Sequence, residues 1–232
     1  MVAADKIQIL CYGDSNTWGC IGKWVESDTP SDRYDTQTRW PMVAQSDLGE
    51  KFHIIEEGLC GRTTIYPHPT EPWKNGEPYL TPCLYTHRPL DLVVIMLGTN
   101  DLQLKKDITA EELPRGISRL VDIIQSHKKP GRGNVPPKIL LIAPVEVRPS
   151  APEGRTAVYA KFRGNTGREL SLMLPQAYKR VAEEKGCYFL NAQEFAQPGP
   201  ADGVHFDARS QLALGHAVAA FIRSEIYPEC VR

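Results

Sequence analysis

The feature that most constrains the fold of this chain is a run without a polar side chain, Leu92-Val93-Val94-Ile95-Met96-Leu97, followed at once by Gly98-Thr99-Asn100-Asp101. A strand that is apolar on both faces must be covered on both faces, as in the middle of a parallel sheet. Short apolar runs at Ile7–Tyr12, Phe52–Ile55, Ile139–Ala143 and Cys187–Leu190 predict four further strands. Helical spacing recurs between and after them. Leu113, Ile117, Leu120, Val121 and Ile124 form one stripe. Leu214, Val218, Phe221 and Ile222 form another, with Asp207 as N-cap and Pro228 near its end. This alternation predicts an open three-layer α/β domain around a mainly parallel five-stranded sheet.

The 232 residues show no internal repeat, no low-complexity linker and no composition break, so a single domain over 1–232 is expected. Three stretches, about 19–38, 63–89 and 145–165, read as long loops rich in Pro, Gly and charge. Their aromatic residues (Trp24, Tyr66, Trp73, Tyr79, Tyr85) favour packed loops over disorder. Thr109-x-x-Glu112 resembles a capping box, although Pro114 draws the helix start towards itself. Leu170, Leu174, Tyr178 and Val181 share a helical face ended by Gly186, and Pro175 implies a kink or a later start.

Lys plus Arg number 27 against 28 Asp plus Glu, a formal net charge of −1. That balance argues against a nucleic-acid partner and against a basic membrane-surface patch. The longest apolar run is far too short to cross a bilayer. Met1-Val2-Ala3-Ala4-Asp5-Lys6 lacks the charged-then-apolar pattern of a signal peptide, so a soluble, cytoplasmic protein is expected. Cys11, Cys20, Cys60, Cys83, Cys187 and Cys230 form no C-x-x-C pair and read as reduced thiols. No metal-ligand spacing stands out among the histidines, so neither a metal nor an organic cofactor is expected.

The groups with chemical potential stand where strands end. Gly13-Asp14-Ser15-Asn16 follows the first strand, and Asp202-Gly203-Val204-His205 precedes the last helix. A serine hydroxyl is a weak nucleophile until a base takes its proton, and an acid beside the histidine fixes its tautomer. The bland readings are a turn or N-cap serine and a solvated loop acid. Asn100, after the most apolar strand, offers a side-chain amide to a developing oxyanion, and Gly61 permits a turn that aims a backbone N–H into the same space. Four strand-end segments holding nucleophile, oxyanion donors and base are harder to dismiss together than singly.

These segments resemble the four blocks of the SGNH (GDSL-type) hydrolase superfamily, and are most similar to its bacterial arylesterase/acyltransferase members. The resemblance is carried by Gly13-Asp14-Ser15-Asn16-Thr17-Trp18-Gly19, by Glu56-Glu57-Gly58-Leu59-Cys60-Gly61-Arg62-Thr63-Thr64 and by the stretch from Pro89 to Asp101. It implies a flavodoxin-like sheet, Ser15, Asp202 and His205 as catalytic residues, and an oxyanion hole from Ser15, Gly61 and Asn100. It also implies loop-mediated assembly into a homo-oligomer. Asn16 stands where the family name has leucine, which bears on the pocket beside Ser15.

Asn16, Trp18 and Cys60 are the candidate substrate-binding residues; for Trp18 core packing is the equal alternative. Arg62 reads as a loop brace. The expected function is a serine esterase acting on small aryl or alkyl acyl esters, with acyl transfer to alcohols as a second outcome. The alternatives are a carbohydrate O-deacetylase of the same superfamily and, from another class, a non-catalytic flavodoxin-like ligand-binding module. Against the last, no Gly-rich phosphate loop follows any strand.

Overall fold

The structure, a computed structural model, describes residues 6–22 and 33–231. Five strands lie among the described residues: β1 (Ile7–Gly13), β2 (Phe52–Gly58), β3 (Leu92–Met96), β4 (Lys138–Ala143) and β5 (Tyr188–Asn191). They pair in the order β2-β1-β3-β4-β5, and every pairing is parallel. All five strands fall on the predicted apolar runs, shifted by a few residues at their ends.

Alternate residues of each strand feed opposite faces, which is why two cores form. Leu10, Tyr12, Val93, Ile95 and Leu141 enter one core; Ile9, Cys11, Leu92, Val94, Met96, Leu140 and Ile142 enter the other. Eight α-helices lie among the described residues. They are α1 (Ser15–Trp18), α2 (Trp40–Leu48), α3 (Gly76–Thr86), α4 (Thr99–Leu104), α5 (Leu113–Ser126), α6 (Thr156–Lys161), α7 (Gly164–Lys185) and α8 (Ala208–Phe221). Residues of α3, α5 and α7 cover the first face, and those of α2 and α8 the second. Among the described residues no helix is long and apolar enough to cross a membrane.

Two of the expected long loops carry helices. The 63–89 stretch holds α3, despite Pro78 and Pro82, because Asn75 caps its first turn through the Glu77 N–H at 3.0 Å and Leu80, Cys83 and Leu84 are buried. Of its aromatics, Tyr66 packs against the first core as expected, whereas Trp73 is 61% exposed and Tyr79 40%. The 145–165 stretch holds α6. Trp24 lies outside the described residues.

Helix ends follow their local chemistry. Asp207 caps α8 by accepting from Ser210 N at 2.8 Å, as its sequence implies. Glu112 accepts from Thr109 N at 3.1 Å, but α5 begins only at Leu113, next to Pro114. Pro175 neither delays nor ends α7, which starts at Gly164 and runs through it to the Gly186 cap.

Candidate active site

Register brings three of the four segments to one level. Gly13 pairs with Gly58 on one side and with Met96 on the other, so the chain leaves β1, β2 and β3 side by side at their carboxyl ends. With β1 flanked by β2 and β3, the strand order reverses direction at this point, where open α/β sheets bind ligands.

Ser15 opens α1, and Asp14 is its N-cap, accepting from Asn16 N at 3.0 Å. The Ser15 hydroxyl lies 3.0 Å from His205 Nε2. On the far side of the ring, Nδ1 donates to Asp202 Oδ2 at 2.6 Å. The other carboxylate oxygen accepts from the backbone N–H groups of Val204 and His205, each at 2.9 Å. The acid is thus held by its own loop, and the imidazole is held by the acid. Burial works against a charged His205, but the Asp202 bond and charge outweigh it and hold the imidazole above its ordinary value. Burial also opposes the Asp202 charge, yet the His205 bond keeps that carboxyl below the usual range.

The residues expected to meet an oxyanion follow β2 and β3. Leu59 N donates to Gly13 O at 3.1 Å and Arg62 N to Leu59 O at 3.0 Å, closing a turn around Cys60 and Gly61. Gly61 has φ +79°, a left-handed conformation that glycine alone adopts cheaply, and the Lys74 stem lies over its Cα. Asn100 sits in the first turn of α4 and donates one amide hydrogen to Arg62 O at 3.1 Å. That bond fixes the amide plane and leaves its second hydrogen for another acceptor. Arg62 is buried, bonds to Gly13 O at 3.0 Å and to Glu57 O, and stacks over Tyr12; it braces the turn, as its sequence position suggests.

Of the three candidate substrate-binding residues, Asn16 is placed elsewhere. Its Nδ2 donates to Val204 O at 3.2 Å and its Oδ1 accepts from Phe206 N at 2.9 Å. Both ends of the amide grip the backbone on either side of His205, so the side chain serves as a clamp rather than a pocket wall. Trp18 is half-buried, with Arg33 stacked over its ring at 5.2 Å and bonded to its carbonyl. Cys60 lies beside the site. A hydrogen bond from Cys20 draws its thiol below the ordinary value against the opposing effect of burial, helped by the His205 charge.

Sequence reasoning missed several supports. Gly203 (φ +74°) passes so close to the next segment that a Cβ there would stand 1.8 Å from Arg148 O. Arg148 N donates to Gly203 O at 3.0 Å, Ala151 N to Pro200 O at 2.8 Å and Arg155 N to Ala201 O at 2.7 Å. The 145–165 stretch, which no motif explained, thus backs the Asp202 loop. Asp14 is a buried acid whose carboxyl burial pushes up to about 6, and Asp101, bonded twice to Thr64, is pushed up to about 7. A cavity of about 380 Å³ opens beside the turn, lined by Leu59, Arg62, Trp73 and Tyr79 among others.

This arrangement has relatives. The model of the GDSL-like lipase/acylhydrolase family matches residues 11–212. The aryl esterase of M. smegmatis is 37% identical, with 94% of this chain and 99% of that one covered and a TM-score of 0.84. Est24, a carbohydrate acetylesterase from Sinorhizobium meliloti, is 36% identical over 94% and 99% of the two chains, with a TM-score of 0.85. No curated protein sequence matches. The fold, the residues at its strand ends and these likenesses agree, and the chain belongs to the GDSL-like lipase/acylhydrolase family as an ester hydrolase of the SGNH type.

Proposed function

We propose that this ester hydrolase works through Ser15 as nucleophile on small acyl esters. The observation that carries the reading is the unbroken chain Ser15 Oγ, His205, Asp202, at 3.0 and 2.6 Å. His205 Nε2 takes the Ser15 proton as Oγ adds to the ester carbonyl. Charge gathers on the carbonyl oxygen, which meets the N–H groups of Ser15 and Gly61 and the free amide hydrogen of Asn100. His205 returns the proton to the leaving alcohol, and an acyl group stays on Ser15. A water, or an acceptor alcohol, then gives its proton to His205 and attacks the acyl carbon; His205 passes that proton to Ser15 Oγ as the acyl–oxygen bond breaks, releasing an acid or a new ester. Hydrolysis and transfer differ only in that second nucleophile.

The test is Ser15→Ala against p-nitrophenyl acetate, with a fluorophosphonate probe on the parent. Loss of turnover together with probe labelling at Ser15 supports the assignment; hydrolysis at the parental rate excludes it. A second reading, O-deacetylation of acetylated sugars, is favoured by the 36% identity to the Sinorhizobium meliloti enzyme. It uses the same residues, and a panel of acetylated sugars and aryl acetates separates the two. Cytoplasmic residence belongs to the same proposal, since all six cysteines are thiols. So does self-association, for which the exposed rings of Trp73, Tyr79 and Tyr85 supply apolar surface. A monomeric mass by light scattering would rule the latter out.

A further inference from the structure

On the flank of the oxyanion turn, β2 and α3 bring together three side chains of metal-ligating type that ester chemistry does not use. Glu57 is the penultimate residue of β2. Cys83 and His87 stand four residues apart at the end of α3, a spacing that puts both on one side of a helix. A carboxylate oxygen of Glu57, the Cys83 sulfur and a His87 ring nitrogen all lie within 4.8 Å of one another. Glu57 Oε1 is 2.9 Å from His87 Nε2, and the Tyr79 hydroxyl, one turn before Cys83, reaches the same oxygen at 3.3 Å. Cys83 is buried, whereas Glu57 and His87 keep 18% and 26% of their side chains open, so an ion reaches the group from one side.

We propose that Glu57, Cys83 and His87 form a binding site for a borderline-soft divalent cation of the Zn²⁺ or Co²⁺ class, with the Tyr79 hydroxyl or a water as fourth ligand. One oxygen, one nitrogen and one sulfur donor suit that class; Mg²⁺ and Ca²⁺ take oxygen donors. With metal–ligand bonds of about 2.0–2.3 Å, tetrahedral donors stand roughly 3.3–3.7 Å apart. The pair now bonded at 2.9 Å needs only a small separation to admit the ion. Binding replaces the thiol proton: the S–H bond breaks, a sulfur–metal bond forms and the proton leaves to solvent. The carboxylate and thiolate then balance the ion's two charges. Arg62 opposes binding, but its Nη2 faces the other carboxylate oxygen at 4.0 Å and its plane is stacked on Tyr12.

The test is titration of the full, metal-free chain with Co²⁺ alone, without oxygen and with a phosphine reductant. Binding at this site produces a thiolate-to-cobalt charge-transfer band that saturates at one equivalent and is displaced by Zn²⁺. Cys83→Ser removes the band, and Cys60→Ser, at a partly open thiol outside the group, leaves it. Because Cys83 is buried, His87→Gln at a half-open position provides an independent arm. It weakens Co²⁺ binding by more than the ~10–100-fold that loss of an outer-shell partner costs. Absence of the band in the parent, its survival in Cys83→Ser, or its loss in Cys60→Ser alone overturns the proposal. So does unchanged Co²⁺ affinity in His87→Gln.

Discussion

Replacing Asn16 by leucine, the residue that gives the GDSL family its name, tests the clamp on the catalytic loop directly. The substitution strands two buried groups, Val204 O and Phe206 N, which the amide now bonds at 3.2 and 2.9 Å. An unsatisfied buried polar group costs about 1–3 kcal/mol, so the two together cost about 2–6 kcal/mol. For a domain of this size each kcal/mol moves Tm by about 2–4 °C, which sets the expected fall at ~4 °C or more. The loop relieves the penalty by moving outwards to water, and His205 lies between the two stranded groups. A 1 Å displacement of a catalytic group costs about 10²-fold in rate. We therefore expect Asn16→Leu to lower kcat for p-nitrophenyl acetate about 10²-fold with KM little changed, because neither amide atom faces substrate. Initial rates and thermal unfolding read the two effects. Asn16→Asp keeps the acceptor for Phe206 N but loses the donor to Val204 O, so it separates the two bonds. A leucine variant with parental Tm and parental kcat refutes the clamp.

The remaining predictions concern the other supports. Asp202 holds His205 above its ordinary value, and His205 accepts a proton only when neutral, so kcat/KM rises with pH through a midpoint above that of an unperturbed imidazole. Asp202→Asn moves that limb to lower pH, because the balancing charge is gone, and drops kcat by up to ~10⁴-fold; an unmoved limb means another group titrates. On the proposed mechanism Asn100→Ala removes one oxyanion donor and lowers kcat by about 10²–10³-fold, read from aryl acetate hydrolysis. Gly203→Ala forces a Cβ against Arg148 O in a left-handed backbone; it lowers the unfolding free energy, read by urea titration, by at least the ~1–3 kcal/mol of backbone strain and reduces turnover as well.

The strands were legible because a parallel sheet demands continuous apolar runs, and five such runs occur. Three of the four segments of the candidate site were legible because they sit just after strands, where a turn motif acquires meaning. Helix α3 was hidden by Pro78 and Pro82, whose composition reads as loop; tertiary burial of Leu80, Cys83 and Leu84 outweighs the poor propensity. The sequence marks Asn16 as a departure from the family pattern and points it to the pocket. A polar side chain in a turn gives no sign of which way it points, and its partners lie 188 and 190 positions along the chain. The Glu57, Cys83 and His87 group was equally invisible, since only the packing of α3 on β2 joins Glu57 to a four-residue spacing that chance supplies often.

The distribution of these supports has a physical reason. Ser15, Gly61 and Asn100 follow closely on the ends of neighbouring strands, so sheet register brings their turns to one level, and short hydrogen bonds from Leu59, Arg62 and Asn100 fix the rest. Asp202 and His205 have no such scaffold: β5 ends at Asn191, and α8 starts only at Ala208. Their place must be fixed by bonds from several directions. Asn16 grips both sides of His205, Gly199 N donates to His205 O at 2.7 Å, and the 145–155 backbone holds Gly203, Pro200 and Ala201. Gln211 of α8 adds a link to Asn16 O at 3.1 Å and accepts from Trp40 N at 2.9 Å, tying the clamp to α2. A nucleophile on a strand end tolerates local change better than a base on a loop. Substitutions around residues 199–206 are therefore expected to cost more activity per kcal/mol of lost stability than those around 58–64.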